Sequence, residues 1–349
     1  MHVPSLISQP VAAADSRSPR MWLSLHDVEP RAGKSLDNTE AFARAIEAVH
    51  QRRLGTLWIP PGEYPLRSLQ LRDCVALRGA GRESTILHAL AGNDRGFVTI
   101  RQGPVRHTGL VGLTLRGGTR EKAKNAQQWA LDVVARAAPS GHPHGGMWYS
   151  GFGDLNIENF DRGISLEGGG NNYLLPHQFF SMRDVVVDLA KSASGPSLSI
   201  SGQVAQGLFQ QCLFDSASLL DKPAIHLRPD NGGDVAPALH HFDVCTIQTA
   251  RLGILIEQAQ NIALSNCWFE NVHASIRVAP GSYGISITGN RFANAGEAAP
   301  AITFEPDTSG TISGNVYAGD RTREPAHVAS DAKVSGDGGT SIWGAGRSR

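Results

Sequence analysis

Carboxyl and amide side chains recur at one position of a repeated segment: Glu158, Asp188, Asp215, Gln248 and Glu270. Each follows an apolar residue of the same frame, respectively Ile157, Val187, Phe214, Ile247 and Phe269. Successive side chains of an extended strand point to opposite faces, so an inward apolar residue sends its acidic follower outward. Stacked strands lie about 4.8 Å apart, which would set these groups in one exposed stripe, one per layer. Like charges at that separation repel, and one carboxyl of the set is expected to hold its proton above the usual carboxylate range. A protonated carboxylic acid beside an ionised partner is what cleavage of a glycosidic bond needs: one group protonates the leaving oxygen, the other activates water or attacks the sugar. Adjacent layers suit a retaining pair, whereas Asp215 and Glu270 stand two layers apart, about 9.6 Å, at the upper end of the inverting range. Glu270 is therefore expected as the general acid and Asp215 as the base.

The stretch NCWFEN, Asn266 to Asn271, puts Trp268 on the same outward face as Glu270. An indole there offers a flat apolar surface for the C–H face of a sugar and would help to desolvate the Glu270 carboxyl. Gln248 lies between the two candidate carboxylates and Asp188 beside Asp215. A second outward column reads Glu167, Ser201, Arg228, Glu257 and Glu305, with His226 and Arg277 two positions earlier in their own repeats. Asp243 follows His240 and His241, of which alternation turns His240 inward and His241 outward. The expected substrate contacts are thus Trp268, Gln248, Glu257, Asp243, Arg228, His241 and Asp188, in a groove shared with the two catalytic carboxylates.

A second chemistry fits some of the same residues. β-Elimination on a uronate polymer needs a base for the proton next to the carboxylate and cations for the anion that results, and His241, Arg228 and Lys222 are of those types. An acidic stripe repels a polyuronate, which ranks this reading second. A carbohydrate-binding solenoid without catalysis is the third. No metal centre or cofactor is expected: the Gly-x-Gly of LRGAGRE lacks a third matching glycine and a following helix, and the adjacent histidines read as one inward and one outward residue. Lys and Arg together number 32, as do Asp and Glu, so bulk charge selects neither nucleic acid nor an anionic membrane as partner. No stretch has the roughly 18 apolar residues of a membrane span, and the first twenty residues lack the pattern of a signal peptide.

The elements that must position these groups are short and periodic. IALSNCWFEN at 262 aligns with ISITGNRFAN at 285 and GTISGNVYAG at 310, and upstream with GLFQQCLFDS at 207 and HHFDVCTIQT at 240. The spacing varies from 22 residues (Ile247 to Phe269) to 33 (Phe214 to Ile247), and each copy is followed by a second alternating segment such as GILIEQ or SIRVAP. A unit this short cannot bury its own apolar face, so the copies must stack into a β-solenoid. Its inward columns are Leu115, Ile157, Val187, Phe214, Ile247, Phe269, Phe292 and Tyr317 and, two residues earlier, Cys212, Cys245, Cys267, Asn290 and Asn315. Cysteines in such a column read as small interior residues without disulfides, and the asparagines as an amide ladder. Upstream, LDNTEAFARAIEAVHQR has apolar Phe42, Ile46 and Val49 behind N-cap candidates Asp37, Asn38 and Thr39, which predicts an amphipathic helix over 38–52 that covers the open end. TREKAKNAQQWALDVVARAAPSGHPHGGM reads as a rung interrupted by long loops, with Leu131 and Val133 inward. The Gly- and Ser-rich residues 321–349 and the opening segment 1–20 are expected to be poorly ordered.

The helix Asp-Asn-Thr-x-Ala-Phe, then GTLWIPPGEY and VALRGAGRESTIL, resembles the N-terminal region of the pectate-lyase-like right-handed parallel β-helix superfamily. The NCWFEN and ITGNRF rungs resemble those of bacteriophage tailspikes and related polysaccharide depolymerases within it. The resemblance covers roughly residues 21–320 and implies an all-β, right-handed parallel β-helix with an N-terminal capping helix. It also implies action on a bacterial surface polysaccharide, outside the cell or at a virion surface. The tandem aspartates of polygalacturonases and the calcium-binding carboxylates of pectate lyases do not stand out here. Tailspikes are commonly homotrimers, yet no trimerisation domain is visible in the C-terminal residues, so assembly stays open.

Overall fold

A computed structural model describes residues 22–29, 36–53, 55–101, 103–135, 145–169, 176–218, 222–233, 235–294, 300–318 and 326–336. Among the described residues 29 strands, from Trp22–Ser24 to Lys333–Gly336, form one continuous sheet wound on itself, every strand pairing parallel. Each turn of the coil presents three faces. A first-face strand such as His241–Asp243 meets the second face at a single residue in the left-handed region, here Val244 at φ 54°. Asp154, Asp184, Gln211 and Asn266 hold the same corner in other rungs, with Gly289 and Gly314 above them. A second such corner, Asn159, Thr249 and Asn271, bends the chain toward the third face, so Thr246–Ile256 and Trp268–Val278 each run round it as one strand.

The register reproduces the inward column residue by residue: Leu115, Ile157, Val187 and Phe214, then Ile247, Phe269, Phe292 and Tyr317 are successive partners. Phe269, Phe292 and Tyr317 stack with ring centroids 4.9 and 5.1 Å apart. The second column has a shared task. Each member donates to an inward-facing carbonyl of the preceding rung: Cys212 Sγ to Met182 O (3.4 Å), Cys245 Sγ to Phe209 O (3.4 Å), Cys267 Sγ to Phe242 O (3.5 Å), Asn290 Nδ2 to Leu264 O (3.0 Å) and Asn315 Nδ2 to Ile287 O (2.9 Å). Thiol gives way to amide after Cys267 without loss of the contact, because both are small donors. The asparagines add an acceptor, since Asn290 Oδ1 takes the Cys267 N–H and Asn315 Oδ1 the Asn290 N–H, each at 2.8 Å. All four cysteines are free, and only Cys74 is exposed.

Asn290→Ala should therefore strand a buried carbonyl and a buried N–H and cost about 2–4 kcal/mol. Asn290→Cys, which keeps a donor toward Leu264, should cost less; urea denaturation of the two variants measures the difference.

The helix spans Thr39–Arg52 and buries Phe42, Ala45, Ile46 and Val49 over the first strands. Asn38 occupies the N-cap position, but Asp37 supplies the acceptor, its Oδ1 taking the Thr39 N–H (3.0 Å) and hydroxyl (2.6 Å). Strand pairing passes residue 320: Ala326–Val328 and Lys333–Gly336 pair with Ile302–Phe304 and Ser309–Ser313, adding a rung within the span 321–349. The segment 1–20 and residues 337–349 lie outside the described residues. Among the described residues no helix is long and apolar enough to cross a membrane.

Candidate functional site

Strand pairing lines up Arg116, Glu158, Asp188, Asp215, Gln248, Glu270 and Ala293 in that order on the second face. The stripe expected from the sequence exists, and a cation stands at its head. Arg116 follows Leu115 in the same frame, which is the signal by which it was findable. It is hydrogen-bonded to Glu158 through Nε and lies 3.5 Å from Glu63, while Asn156 Nδ2 donates to the other Glu158 oxygen (3.0 Å).

The wall beside the stripe differs along its length. After Arg116, Asp188 and Asp215 the chain leaves the coil in loops before the third face, whereas after Gln248 and Glu270 it turns the corner at once. Arg120, on the first of these loops, reaches across to Asp188 and comes within 4.0 Å of Asp215 Oδ2. Its position in a non-repeating loop gave no periodic signal. Asp215 is nearly buried, and both its oxygens are used: Oδ1 accepts the Ala217 N–H (2.7 Å) and Oδ2 the Gln248 amide (2.8 Å). Burial pushes the Asp188 carboxyl above the usual carboxylate range. Arg120 opposes that shift, and Asp215 and Glu158 reinforce it. The carboxylates that pack together are thus Asp188 and Asp215, on adjacent rungs.

Glu270 stands apart from this cluster. It is exposed, and the Trp268 indole expected to enclose it is covered instead by the Arg291 guanidinium, 4.8 Å from the ring. The expected single groove also divides. Asp243 and His241 lie before the Val244 corner, on the first face, where Ser265 Oγ donates to Asp243 Oδ1 (3.0 Å) and His241 Nε2–H donates to Ser265 Oγ (2.7 Å). Burial acts to raise the Asp243 pKa, but hydrogen bonds from Asn266, Ser265 and Gln210 outweigh it and hold the carboxyl below the usual range. Arg228 and Glu257 lie on the third face, past the Thr249 corner. Glu257 pairs with His226 (2.5 Å), and Arg228 contacts Asn231 (3.4 Å). The corners separate them because residues in one sequence frame share a face only between bends.

His240 is inward, as alternation requires. It and His177 are fully buried and play the same part: Nδ1 accepts a backbone N–H, from Gly207 (3.2 Å) and Met147 (2.9 Å), and Nε2–H donates to the carbonyl of Val204 (3.0 Å) and Glu167 (2.9 Å). Burial drives both pKa values down to about 4.

About nine-tenths of the chain superimposes on solved structures. The A-module of mannuronan C-5 epimerase AlgE4 from Azotobacter vinelandii matches with a TM-score of 0.63 at 18% identity, over 90% of this chain and 96% of that one. The tailspike protein of E. coli bacteriophage HK620 matches at 0.65 and 13%, over 91% of this chain and 64% of the tailspike. The chain folds as a right-handed parallel β-helix. No family model matches the sequence. Mannuronan C5-epimerase AlgE6 of Azotobacter vinelandii is 30% identical over 105 residues, which are 27% of this chain and 12% of the epimerase. A shared fold does not by itself set the chemistry, which rests on the groups that the outward columns and loops carry.

Proposed function

We propose that the protein is a polysaccharide depolymerase that hydrolyses a glycan of a bacterial surface, outside the cell or as part of a virion, at the Asp188–Asp215 pair. The observation that carries this reading is the packing of two carboxyls on adjacent rungs, one with its pKa raised, beneath a loop that brings in Arg120. Adjacent strands stand about 4.8 Å apart, close to the roughly 5–5.5 Å of a retaining pair. Asp188 protonates the leaving oxygen as the bond to the anomeric carbon breaks. Asp215 attacks that carbon, and water, deprotonated by Asp188, then releases the sugar. Gln248 orients Asp215, and Arg120 offsets the charge of the pair. The wider separation of Asp215 and Glu270, which suits inversion, loses ground because Glu270 stands outside the loop-walled end. Trp268 keeps a place as a stacking surface further along the same face.

A second reading, removal of a proton from a uronate by a lyase or an epimerase, gains from the 105-residue epimerase match and from the guanidinium groups of Arg116 and Arg120 among the carboxylates. His241, Arg228 and Lys222 do not carry it together, since they lie on different faces. Incubation with a panel of capsular and lipopolysaccharide O-chains decides between the readings. New reducing ends are expected, with the anomeric configuration retained. An unsaturated product absorbing in the near ultraviolet, or a change of uronate composition without cleavage, would replace hydrolysis by the second reading. Binding without any product would leave a carbohydrate-binding solenoid.

A further inference from the structure

The loop from Gly117 to Gln128 has Arg120 toward the carboxylate pair and, further along, helps to enclose a cavity of about 660 Å³ lined by Asp94, Arg95, Lys124, Gln127 and Arg162 among others. That volume lies in the range of small-molecule sites, about 300–1,000 Å³. Its walls are tied together. Asn125 is buried and donates to the Leu90 carbonyl (2.9 Å) while accepting the Gly92 N–H (3.0 Å), and Gln128 Nε2 donates to the Asp94 carbonyl (3.3 Å).

Three cations and one carboxylate face this space. Arg95 is bound by Glu167 (2.6 Å) and approaches Asp132 (3.5 Å). Lys124 has no carboxylate within 4 Å among the described residues. Arg162 comes no nearer to a carboxylate than 3.7 Å, at Asp161, whose oxygens already accept from Gln127 N–H (2.8 Å), Ser194 N–H (3.0 Å) and Ser194 Oγ (2.7 Å). The buried Arg162 Nε makes no hydrogen bond. The guanidinium rests over Trp129, 5.5 Å from the ring, which fixes its plane. An oxyanion in the cavity would complete what these two side chains lack.

We propose that this cavity is an anion subsite that takes a carboxylate- or sulfate-bearing sugar of the polymer held at Asp188 and Asp215. The proposal rests on the polysaccharide reading and narrows its substrate to an acidic glycan. It also bears on the repulsion expected between an acidic stripe and such a polymer, because Arg116 and Arg120 stand against the stripe carboxylates and Lys124 and Arg162 add positive charge in the cavity.

Calorimetric titration of the full chain with hexamers of galacturonate, of a sulfated galactan and of a neutral galactan tests it. One charged hexamer should bind at least about tenfold tighter than the neutral one, and K124Q together with R162Q should remove that advantage. Preference for the galacturonate or the sulfated hexamer identifies the oxyanion. Because Arg162 packs on Trp129, Lys124→Gln alone, on an exposed position, serves as the variant that tests binding if the double variant misfolds, with about a threefold loss expected. Equal affinity for neutral and charged hexamers, no binding of any of them, or unchanged affinity in the variants would overturn the subsite. A charged hexamer that binds through Lys124 but is not cut leaves the subsite and removes hydrolysis; one that is cut with its affinity indifferent to Lys124 does the reverse.

Discussion

Asp188→Asn should lower turnover by roughly 10²- to 10⁴-fold with little change in substrate affinity, because the amide keeps the shape and loses the transferable proton. Asp215→Asn should do comparable damage by removing the proposed nucleophile. The pH profile gives a sharper test of the assignment. With Asp188 as the proposed acid, needed in its protonated form, the alkaline limb of kcat/KM should follow its titration and lie above the ordinary carboxylate range. Arg120 is the largest influence pulling that pKa down. Arg120→Gln should therefore move the alkaline limb to higher pH, whereas a purely structural role for Arg120 would lower activity at every pH alike. Full activity in Asp188→Asn, with loss in Glu270→Gln, would return the acid to Glu270.

Acidification should weaken the fold steeply through two histidines far from that chemistry. His177 and His240 are neutral in the native coil with pKa values of about 4, against about 6.5 for an exposed histidine. Between those values the unfolded chain binds more protons than the native one, so stability is fully present above about pH 6.5 and falls as the pH drops toward 4. Each shift corresponds to about 3 kcal/mol, and the pair to about 6 kcal/mol if they act independently, a large share of the roughly 5–15 kcal/mol of a typical domain. The geometry explains the direction as well as burial does: Nδ1 already accepts a backbone N–H, and a proton placed there would face another donor. Urea midpoints measured from pH 7.5 to 4 should show the fall, and His240→Gln should be less stable at neutral pH but less sensitive to acid. A flat profile for the unaltered protein would mean that neither ring has to stay neutral.

Alternation made the solenoid legible. Phe214, Ile247 and Phe269 could be placed inward, and Asp215, Gln248 and Glu270 outward, because strand side chains obey a two-residue period and the rungs repeat it. The Cys and Asn column was readable for the same reason, although its shared donor role emerges only when the carbonyls of the preceding rung are in view. The site was less legible because it depends on bends and loops. Val244 and Thr249 give no sign, by residue type, that each sits in the left-handed region, so Asp243 and Glu257 looked like neighbours of Asp215 when corners separate them. Arg120 belongs to no repeat, and only folding of its loop brings it to Asp188. Glu270 was favoured through Trp268, whose ring proves to be engaged by Arg291.

The column arrangement also separates freedom from constraint in how such a site can change over time. Ile247 and Phe269 are wedged between rungs, so a change of volume at either is felt above and below. Gln248, on the opposite side of the same strand, meets only the surface and its neighbours in the stripe. A glutamate there would join Glu270 to the run of acids, and an alanine at Asp188 would interrupt that run, with the interior untouched. The outward charges can in this way be rearranged along the coil axis by single substitutions, and a descendant could carry its site at a different height on the same scaffold.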